Sequence, residues 1–230
     1  MNWEKWSIGL SLLIVGSSMY GMDVSSETTE TTVQLALVEE DGKGEPVDPN
    51  IPSKPLPDVP EGNTETGNTG TLKLVVIPKE FNFGKILIYS QEKIYSANTN
   101  QTQYLQVSDT REPSKVGWSV TVKQDGDLKS TDGQSVLTGA ILTVPCGIVR
   151  NSQVEKPSES TSTLQSQAVN VNTSEQTIFE TALQENGVGK GDSTNSFEGT
   201  QVKLKIPKGV GKLGTFSNTL TWTLTAKVTQ

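Results

Sequence analysis

Two tryptophans provide the side chains best suited to ligand binding in this 230-residue chain. One begins the string Trp118-Ser119-Val120 and the other begins the string Trp222-Thr223-Leu224. The flat face of an indole can stack on a sugar ring, and its N–H can donate a hydrogen bond. The same large aromatic group is also well suited to packing in a protein core. Two roles are therefore open for each tryptophan: a binding platform or a core residue.

The residues around each tryptophan favour the core role. Both runs alternate apolar and polar residues, a period typical of half-buried β-strands. We predict two central strands. The apolar face of the first carries Trp118, Val120 and Val122, and the apolar face of the second carries Leu220, Trp222, Leu224, Ala226 and Val228. On this interpretation Trp222→Ala would cost about 3–5 kcal/mol of stability.

Two lysines form a second candidate binding surface. Lys203 and Lys205 alternate with apolar residues in the run Val202–Ile206, so both are expected to face solvent, and Lys208 and Lys212 follow in the loop. Lysines in this position commonly protect an exposed edge strand from aggregation. The alternative is a modest, salt-sensitive attraction to phosphate or carboxylate groups of an acidic polymer.

Catalytic and metal-binding patterns are mostly excluded. The chain has no histidine, which rules out histidine-based triads and histidine metal ligands. The segment Asp125-Gly126-Asp127 fails the calcium-loop pattern because Lys129 occupies a ligand position, so we predict a hairpin turn there. Cys146 is predicted to be a buried small hydrophobe. We expect no catalytic residues, no metal and no cofactor, although paired glycosidase carboxylates would leave no sequence pattern.

The N-terminus predicts export. The ten-residue apolar run Trp6–Val15 follows Lys5 and precedes several small residues, as in a secretory signal peptide. This run is too short for a membrane span, which needs about 20 residues. We assign residues 1–21 to a cleaved signal peptide, with an uncleaved anchor as the alternative. A single cysteine excludes an intramolecular disulfide framework, which suits a bacterial surface protein.

Charge and proline divide the rest of the chain. Residues 22–70 contain eleven acidic residues and two lysines, a net charge of −9, and six of the eleven prolines. This composition predicts a disordered, extended linker, with Val33–Val38 as a possible strand or partner-docking segment. Residues 71–230 contain fourteen acidic and sixteen basic residues, a net charge of +2. An acidic, exported chain of this kind gives no indication of nucleic-acid binding.

Residues 71–230 are predicted to form one all-β domain, a β-sandwich or a Greek-key-like barrel. Short strand-like runs alternate with turn-rich pieces along this region. A polar loop is expected over residues 152–171, and residues 173–185 fit either a helix or a strand. The predicted strands are Leu72–Ile77, Lys85–Tyr89, Gln103–Val107, Trp118–Lys123, Gly139–Val144, Gln201–Ile206 and Thr219–Val228.

Several ordered blocks resemble the WxL domain of Gram-positive surface proteins. The resemblance covers roughly residues 45–230, and its distal motif is similar to the ending at Trp222-Thr223-Leu224. Two departures are a valine at position 120 where the family string has leucine, and a tail without an acidic, proline-containing end. The remaining blocks are Thr71-Leu72-Lys73-Leu74, Phe81-Asn82-Phe83-Gly84, Tyr104–Arg111, Gly117-Trp118-Ser119-Val120 and Leu137-Thr138-Gly139-Ala140.

The resemblance implies a secreted protein held non-covalently on the Gram-positive cell wall through peptidoglycan or another wall polymer. It also implies co-production with other surface proteins, including a membrane-anchored partner. The chain shows no LPxTG-like sorting signal, consistent with this expectation. The alternative is a structural subunit of a surface complex, held at the wall by a partner protein. The motif-derived binding residues are Trp118, Val120, Trp222 and Leu224, to which we add Lys203 and Lys205.

Overall fold

The computed structural model describes residues 41–182, 185 and 187–227, together with Leu35. These residues, Leu35 apart, belong to a compact unit spanning Glu39–Gln230. The predicted signal peptide, residues 22–40 of the predicted linker apart from Leu35, and Val228 all lie outside the described residues. In the described part of the chain, no helix has the length and apolarity to cross a membrane.

The described residues form antiparallel β-strands and one 3₁₀ turn at Gly199–Gln201, so the predicted all-β class is confirmed. The strands are β1 (Val47–Asp48), β2 (Ile51–Pro55), β3 (Asn63–Glu65), β4 (Leu72–Pro78), β5 (Lys93–Ser96), β6 (Thr102–Asp109), β7 (Trp118–Gln124), β8 (Lys129–Ser130), β9 (Ile141–Val144), β10 (Ile148–Asn151), β11 (Leu164–Ser166), β12 (Val169–Val171), β13 (Gln176–Thr181), β14 (Gly191–Glu198), β15 (Lys203–Ile206), β16 (Phe216–Ser217) and β17 (Leu220–Ala226).

Three sheets surround the main core. The first has the strand order β10-β14-β6-β4-β3, the second β11-β13-β7-β17, and the third β12-β9-β15-β5. Two-stranded pairs, β1-β2 and β16-β8, complete the described architecture. Each large sheet contributes apolar side chains to one cluster, which includes Leu105, Trp118, Val144, Phe179 and Val202. Residues distant in sequence therefore meet in a shared interior, as expected when several sheets each bury one face.

The two tryptophan strings lie on neighbouring strands, a pairing that the sequence did not predict. Strand β7 has the predicted central position, whereas β17 lies at the edge of its sheet, so the prediction is wrong for that strand. In the register of β7 and β17, Val120 is opposite Leu224 and Val122 is opposite Trp222. Burial alternates along β7, with Trp118, Val120 and Val122 inside and the residues between them half-buried. The period-two pattern therefore predicted the core-facing side of β7 correctly.

Residues 41–70 differ from their sequence-based prediction. The composition predicted a disordered linker up to residue 70, but this stretch contains β1, β2 and β3. Strand β3 pairs with β4 and so extends the first sheet by one strand. Val47 is buried, and Val59 packs against a second small cluster of Val75, Val76 and Tyr104. The folded domain therefore begins well before residue 71.

The reason for this difference is that the segment covers a largely polar sheet face. The side chain of Gln106 accepts a hydrogen bond from Val47 N (3.0 Å) and donates one to Glu45 O (2.8 Å). Tyr104 Oη donates to Val47 O (3.2 Å), and Thr194 Oγ1 donates to Pro49 O (3.0 Å). Burial raises the pKa of the Tyr104 phenol, with a smaller contribution from Asp48, which keeps this hydroxyl a donor. Hydrogen bonds from side chains of the sheet to the backbone of the segment thus hold it in place. The segment therefore lacks the long apolar pattern by which a strand is recognised in a sequence.

Most predicted strands are present, with one clear exception. Strands β4, β6, β7, β9, β15 and β17 correspond to predicted runs, and of the two alternatives for residues 173–185 the strand is confirmed over Gln176–Thr181. The predicted loop at residues 152–171 ends in two short strands, β11 and β12. The predicted strand Lys85–Tyr89 is wrong, because these residues pair with no strand and their side chains are exposed. The predicted burial of Cys146 is also wrong, since that residue is exposed after β9.

A buried ion cluster fixes the entry into β7. The carboxylate of Asp109, which is fully buried, contacts Arg111 Nη2 at 2.8 Å and Lys190 Nζ at 3.2 Å. The Arg111 guanidinium also donates to Val116 O (2.9 Å) and Gly117 O (3.2 Å), directly before Trp118. A charge out of water needs such partners, and Asp109 has two. The cluster therefore holds the chain where the first tryptophan enters the core.

Candidate functional site

Trp118 is a core residue. Its side chain is fully buried, and its ring meets Phe179 edge-on with 4.8 Å between centroids. The indole Nε1–H donates to Gly189 O at 3.1 Å, so its polar atom is also satisfied. Gly189 has a φ of +74°, and a Cβ there would lie 2.9 Å from Trp118 Nε1. This close approach leaves no face of Trp118 available to a ligand.

Trp222 occupies a different environment. It packs against the core cluster but is only half-buried, as are Leu220 and Leu224 on the same strand. Strand β17 is at the edge of its sheet, so one flank of Trp222 has no neighbouring strand. Trp222 also lines a cleft of about 790 Å³. This volume is within the range of roughly 300–1,000 Å³ usual for ligand sites.

Two loops form the walls of this cleft. The first follows β4 and spans residues 79–92; Gln103 Nε2 donates to Glu80 O at 2.9 Å and Asn98 N donates to Asn82 O at 2.6 Å. The second spans residues 207–219, where β16 pairs with β8. Asn218 Nδ2 secures it by donating to Gln124 Oε1 at 3.3 Å and to Gly126 O at 3.2 Å. The first wall is therefore tied to β6 and the chain before it, and the second wall to β7 and the turn that follows it.

The lining of the cleft combines aromatic rings with cations. Phe81, Phe83, Tyr89, Tyr95, Phe216 and Trp222 all contribute to it. Lys79, Lys85, Lys93 and Lys212 stand around the same space, against one carboxylate, that of Glu80. Within the described residues none of these four lysines forms a salt bridge, although Lys93 Nζ lies 4.9 Å from the Tyr89 ring centroid. Rings and free ammonium groups together suit a ligand with apolar faces and negative charge.

The structure separates the other predicted site residues from Trp222. Val120 is fully buried and Leu224 is half-buried, and neither lines the cleft. Lys203 Nζ donates to Ser96 Oγ at 2.7 Å and to Thr200 O at 2.9 Å, while Lys205 pairs with Glu92 at 3.6 Å. Leu204 and Ile206, which alternate with these lysines, line the cleft, so both lysines face the other side of the sheet.

Strand β15 is also not an edge strand. It lies between β9 and β5, which contradicts the interpretation of Lys203 and Lys205 as protection for an exposed edge. Their hydrogen bonds and ion pair instead fasten β15 to its neighbours and to the chain around them. Of the six predicted residues, only Trp222 reaches the cleft.

Metal-ligating groups do not cluster in the described part of the chain. No group of three or more Asp, Glu or Cys side chains there is arranged to hold an ion. At the turn after β7, Asp125 Oδ1 accepts a hydrogen bond from Thr219 N at 3.1 Å. Asp125 N in turn donates to Thr219 O at 3.0 Å. The Asp125 carboxylate thus ties this turn to the start of β17.

Sequence analysis missed most of the cleft residues. Lys79, Lys85 and Lys93 follow no period, because they stand on a loop and at the start of β5, and Lys212 was noted only as a loop residue after Lys203 and Lys205. The only signal for the first loop was a block, Phe81-Asn82-Phe83-Gly84, which the resemblance contained without assigning it a role. The sequence predicts a strand at Lys85–Tyr89 because the β-branched and aromatic residues of this run are typical of strands.

Comparison with known proteins gives one match. A family model described as WxL domain surface cell wall-binding matches residues 24–227. The matched region covers the whole described domain and reaches into residues before it. Neither the curated proteins nor the solved structures contain a match to this chain.

Proposed function

This chain belongs to the WxL domain family of surface cell wall-binding proteins, and we propose that its domain binds peptidoglycan non-covalently through the Trp222 cleft. The protein is exported, and the bound domain holds it at the surface of a Gram-positive bacterium. Its role is binding without catalysis.

The observation that carries this proposal is that Trp222, a half-buried residue, lines a cleft that four lysines also line. Peptidoglycan combines sugar rings with the carboxylates of its peptide stems. The rings have apolar faces that pack on aromatic side chains, and the carboxylates are attracted to Lys79, Lys85, Lys93 and Lys212. Attraction of exposed charges is screened over about 10 Å at 0.1 M salt, so retention should weaken as salt increases.

Co-sedimentation tests the proposed function. Protein spanning residues 39–230 would be mixed with purified peptidoglycan freed of protein and teichoic acid, and its pelleted fraction measured across salt concentrations. We expect saturable retention that falls with salt. Retention only on walls that still carry proteins would indicate attachment through a partner protein. Retention only on walls that still carry teichoic acid would identify teichoic acid, and not peptidoglycan, as the ligand. Release of soluble muropeptides would contradict a role without catalysis.

Trp222→Ala is expected to remove wall retention while leaving the domain folded. Buried tryptophans at binding surfaces commonly contribute about 2 kcal/mol or more, which corresponds to roughly thirtyfold weaker binding. The loss of stability should be about 2 kcal/mol, below the range for fully buried tryptophans, because Trp222 is half-exposed. Thr221→Ala is the matched control, since Thr221 is exposed on the same strand and does not line the cleft. Unchanged retention by Trp222→Ala would contradict the proposed site.

A further inference from the structure

An unusual apolar surface lies along the loop at residues 79–92, where Ile86–Tyr89 also line the cleft. Ile86, Leu87, Ile88 and Tyr89 are exposed in succession, Leu87 at 74%, and Leu213 is 89% exposed on the other loop. The two loops touch, because Gly209 N donates to Ser90 O at 3.3 Å and a Cβ on Gly211 would lie 3.1 Å from Ile88 Cγ2. We call Ile86–Tyr89 and Leu213 the apolar lip. Contiguous exposed apolar groups of this kind usually mark an interaction surface.

The apolar lip adjoins a free strand edge. Strand β5 pairs with β15 on one side, and no described strand pairs with its other side. Tyr95 Oη donates to Leu87 O at 3.0 Å, which holds the lip against β5. Ile94, in the middle of this short strand, is 58% exposed. An unpaired edge offers backbone N–H and C=O groups to an incoming strand.

Charge defines the chemistry of the occupant. Lys85, Lys93, Lys208 and Lys212 are exposed on or beside the two loops, and none forms a salt bridge within the described residues. The carboxylate of Glu92, next to Lys93 in the sequence, is paired with Lys205. A strand that fits here must therefore carry apolar side chains on one face and acidic residues at its ends.

The chain itself contains such a segment before its folded domain. In Val33-Gln34-Leu35-Ala36-Leu37-Val38, Val33, Leu35 and Leu37 alternate and would share one face of a strand. Glu30 precedes this segment, Glu39, Glu40 and Asp41 follow it, and no lysine or arginine occurs between residues 22 and 42.

We propose that Val33–Val38 of a second copy pairs with the free edge of β5 and packs its apolar face on the lip. The flanking carboxylates then lie near the lysines around the lip. Each copy offers one segment and one edge, so the contact joins molecules head to tail. This inference goes beyond attachment to the wall and does not depend on it, although the two surfaces share Lys85, Lys93 and Lys212.

Peptide binding tests the contact directly. A labelled peptide of residues 30–41 would be titrated with protein spanning residues 39–230, beside a scrambled peptide of the same composition. We expect saturable binding of the native peptide that weakens with salt, and at least tenfold weaker binding of the scrambled one. Equal binding of the two peptides, or no binding of either, would overturn the proposal.

Surface variants locate the contact and separate it from wall binding. Ile94→Thr with Leu213→Ser should weaken peptide binding at least tenfold, while the melting temperature and wall retention stay unchanged, since neither residue lines the cleft. In sedimentation velocity, the chain from residue 22 should associate more as its concentration rises, and deletion of residues 33–38 should abolish this. The inference would be contradicted if the chain is monomeric at every concentration. It would also be contradicted if the two substitutions leave the affinity for the peptide unchanged.

Discussion

Protein that begins at residue 71 is expected to be unfolded, whereas protein that begins at residue 39 should fold cooperatively. The shorter protein lacks β3, which is the edge strand of the first sheet, and the β1-β2 segment, whose backbone is bonded to Tyr104, Gln106 and Thr194 of that sheet. Without them Val75, Val76 and Tyr104 would face water, at a cost of about 1.5–3 kcal/mol for each large apolar group. The sum is comparable with the entire stability of a typical domain, about 5–15 kcal/mol.

Circular dichroism and thermal melting of the two proteins measure this effect. The protein from residue 39 should show a single melting transition, and the protein from residue 71 should show none. A third protein from residue 58 keeps β3 but lacks β1 and β2, and it should melt at an intermediate temperature or not at all. A cooperative transition of equal midpoint in the protein from residue 71 would show that residues 41–70 are dispensable.

Trp118→Ala is expected to destabilise the domain by about 3–5 kcal/mol, the range for removal of a buried aromatic side chain. The substitution removes the edge-on contact with Phe179 and leaves Gly189 O without the indole donor. It also opens a cavity at the point where the three sheets meet. This loss should clearly exceed that of Trp222→Ala, although both residues occupy corresponding positions in the two strings.

Denaturant unfolding of both alanine variants and of Trp118→Phe provides the measurement. Trp118→Phe keeps an aromatic ring but loses the Nε1–H donor, so its stability should lie between wild type and Trp118→Ala. A Trp118→Ala protein that loses wall retention only in proportion to its unfolded fraction supports a structural role. Equal destabilisation by Trp118→Ala and Trp222→Ala would contradict the different burial of the two side chains.

The core-facing side of β7 could be predicted from the sequence because its burial follows a period of two. The alternation of β7, from Trp118 to Gln124, appears directly in its burial. Alternation also placed Trp222 on the core side of β17 but did not determine how deeply it is buried. That depth depends on the edge position of β17 and on the loop at residues 79–92, neither of which is encoded in β17 itself.

The N-terminal part of the domain was missed because its contacts are polar. Gln106, Tyr104 and Thr194 bind its backbone, so the segment needs few apolar side chains to stay in place. Its prolines are also compatible with strand structure, since Pro52 and Pro55 belong to β2, which pairs with one strand only. A composition rich in proline and acidic residues therefore indicated disorder in a segment where two short strands, β1 and β2, pair with each other.

The cleft was missed for a similar reason. Its aromatic and lysine residues come from separate loops, and no spacing rule relates Phe81 or Lys79 to Phe216 or Lys212. Only the fold brings these loops together beside Trp222. The six predicted site residues included this one member because it belongs to a strand, where periodicity can be read.

The indole N–H signals of a ¹⁵N-labelled protein spanning residues 39–230 test the central claim most directly. This protein contains two tryptophans, Trp118 and Trp222, so two signals are expected, and each can be assigned by substitution. During titration with soluble peptidoglycan fragments, the Trp222 signal should shift in a saturable manner. The Trp118 signal, whose N–H is bonded to Gly189 O, should stay in place. If the domain is retained on peptidoglycan and the Trp222 signal does not move, the cleft is not the binding site.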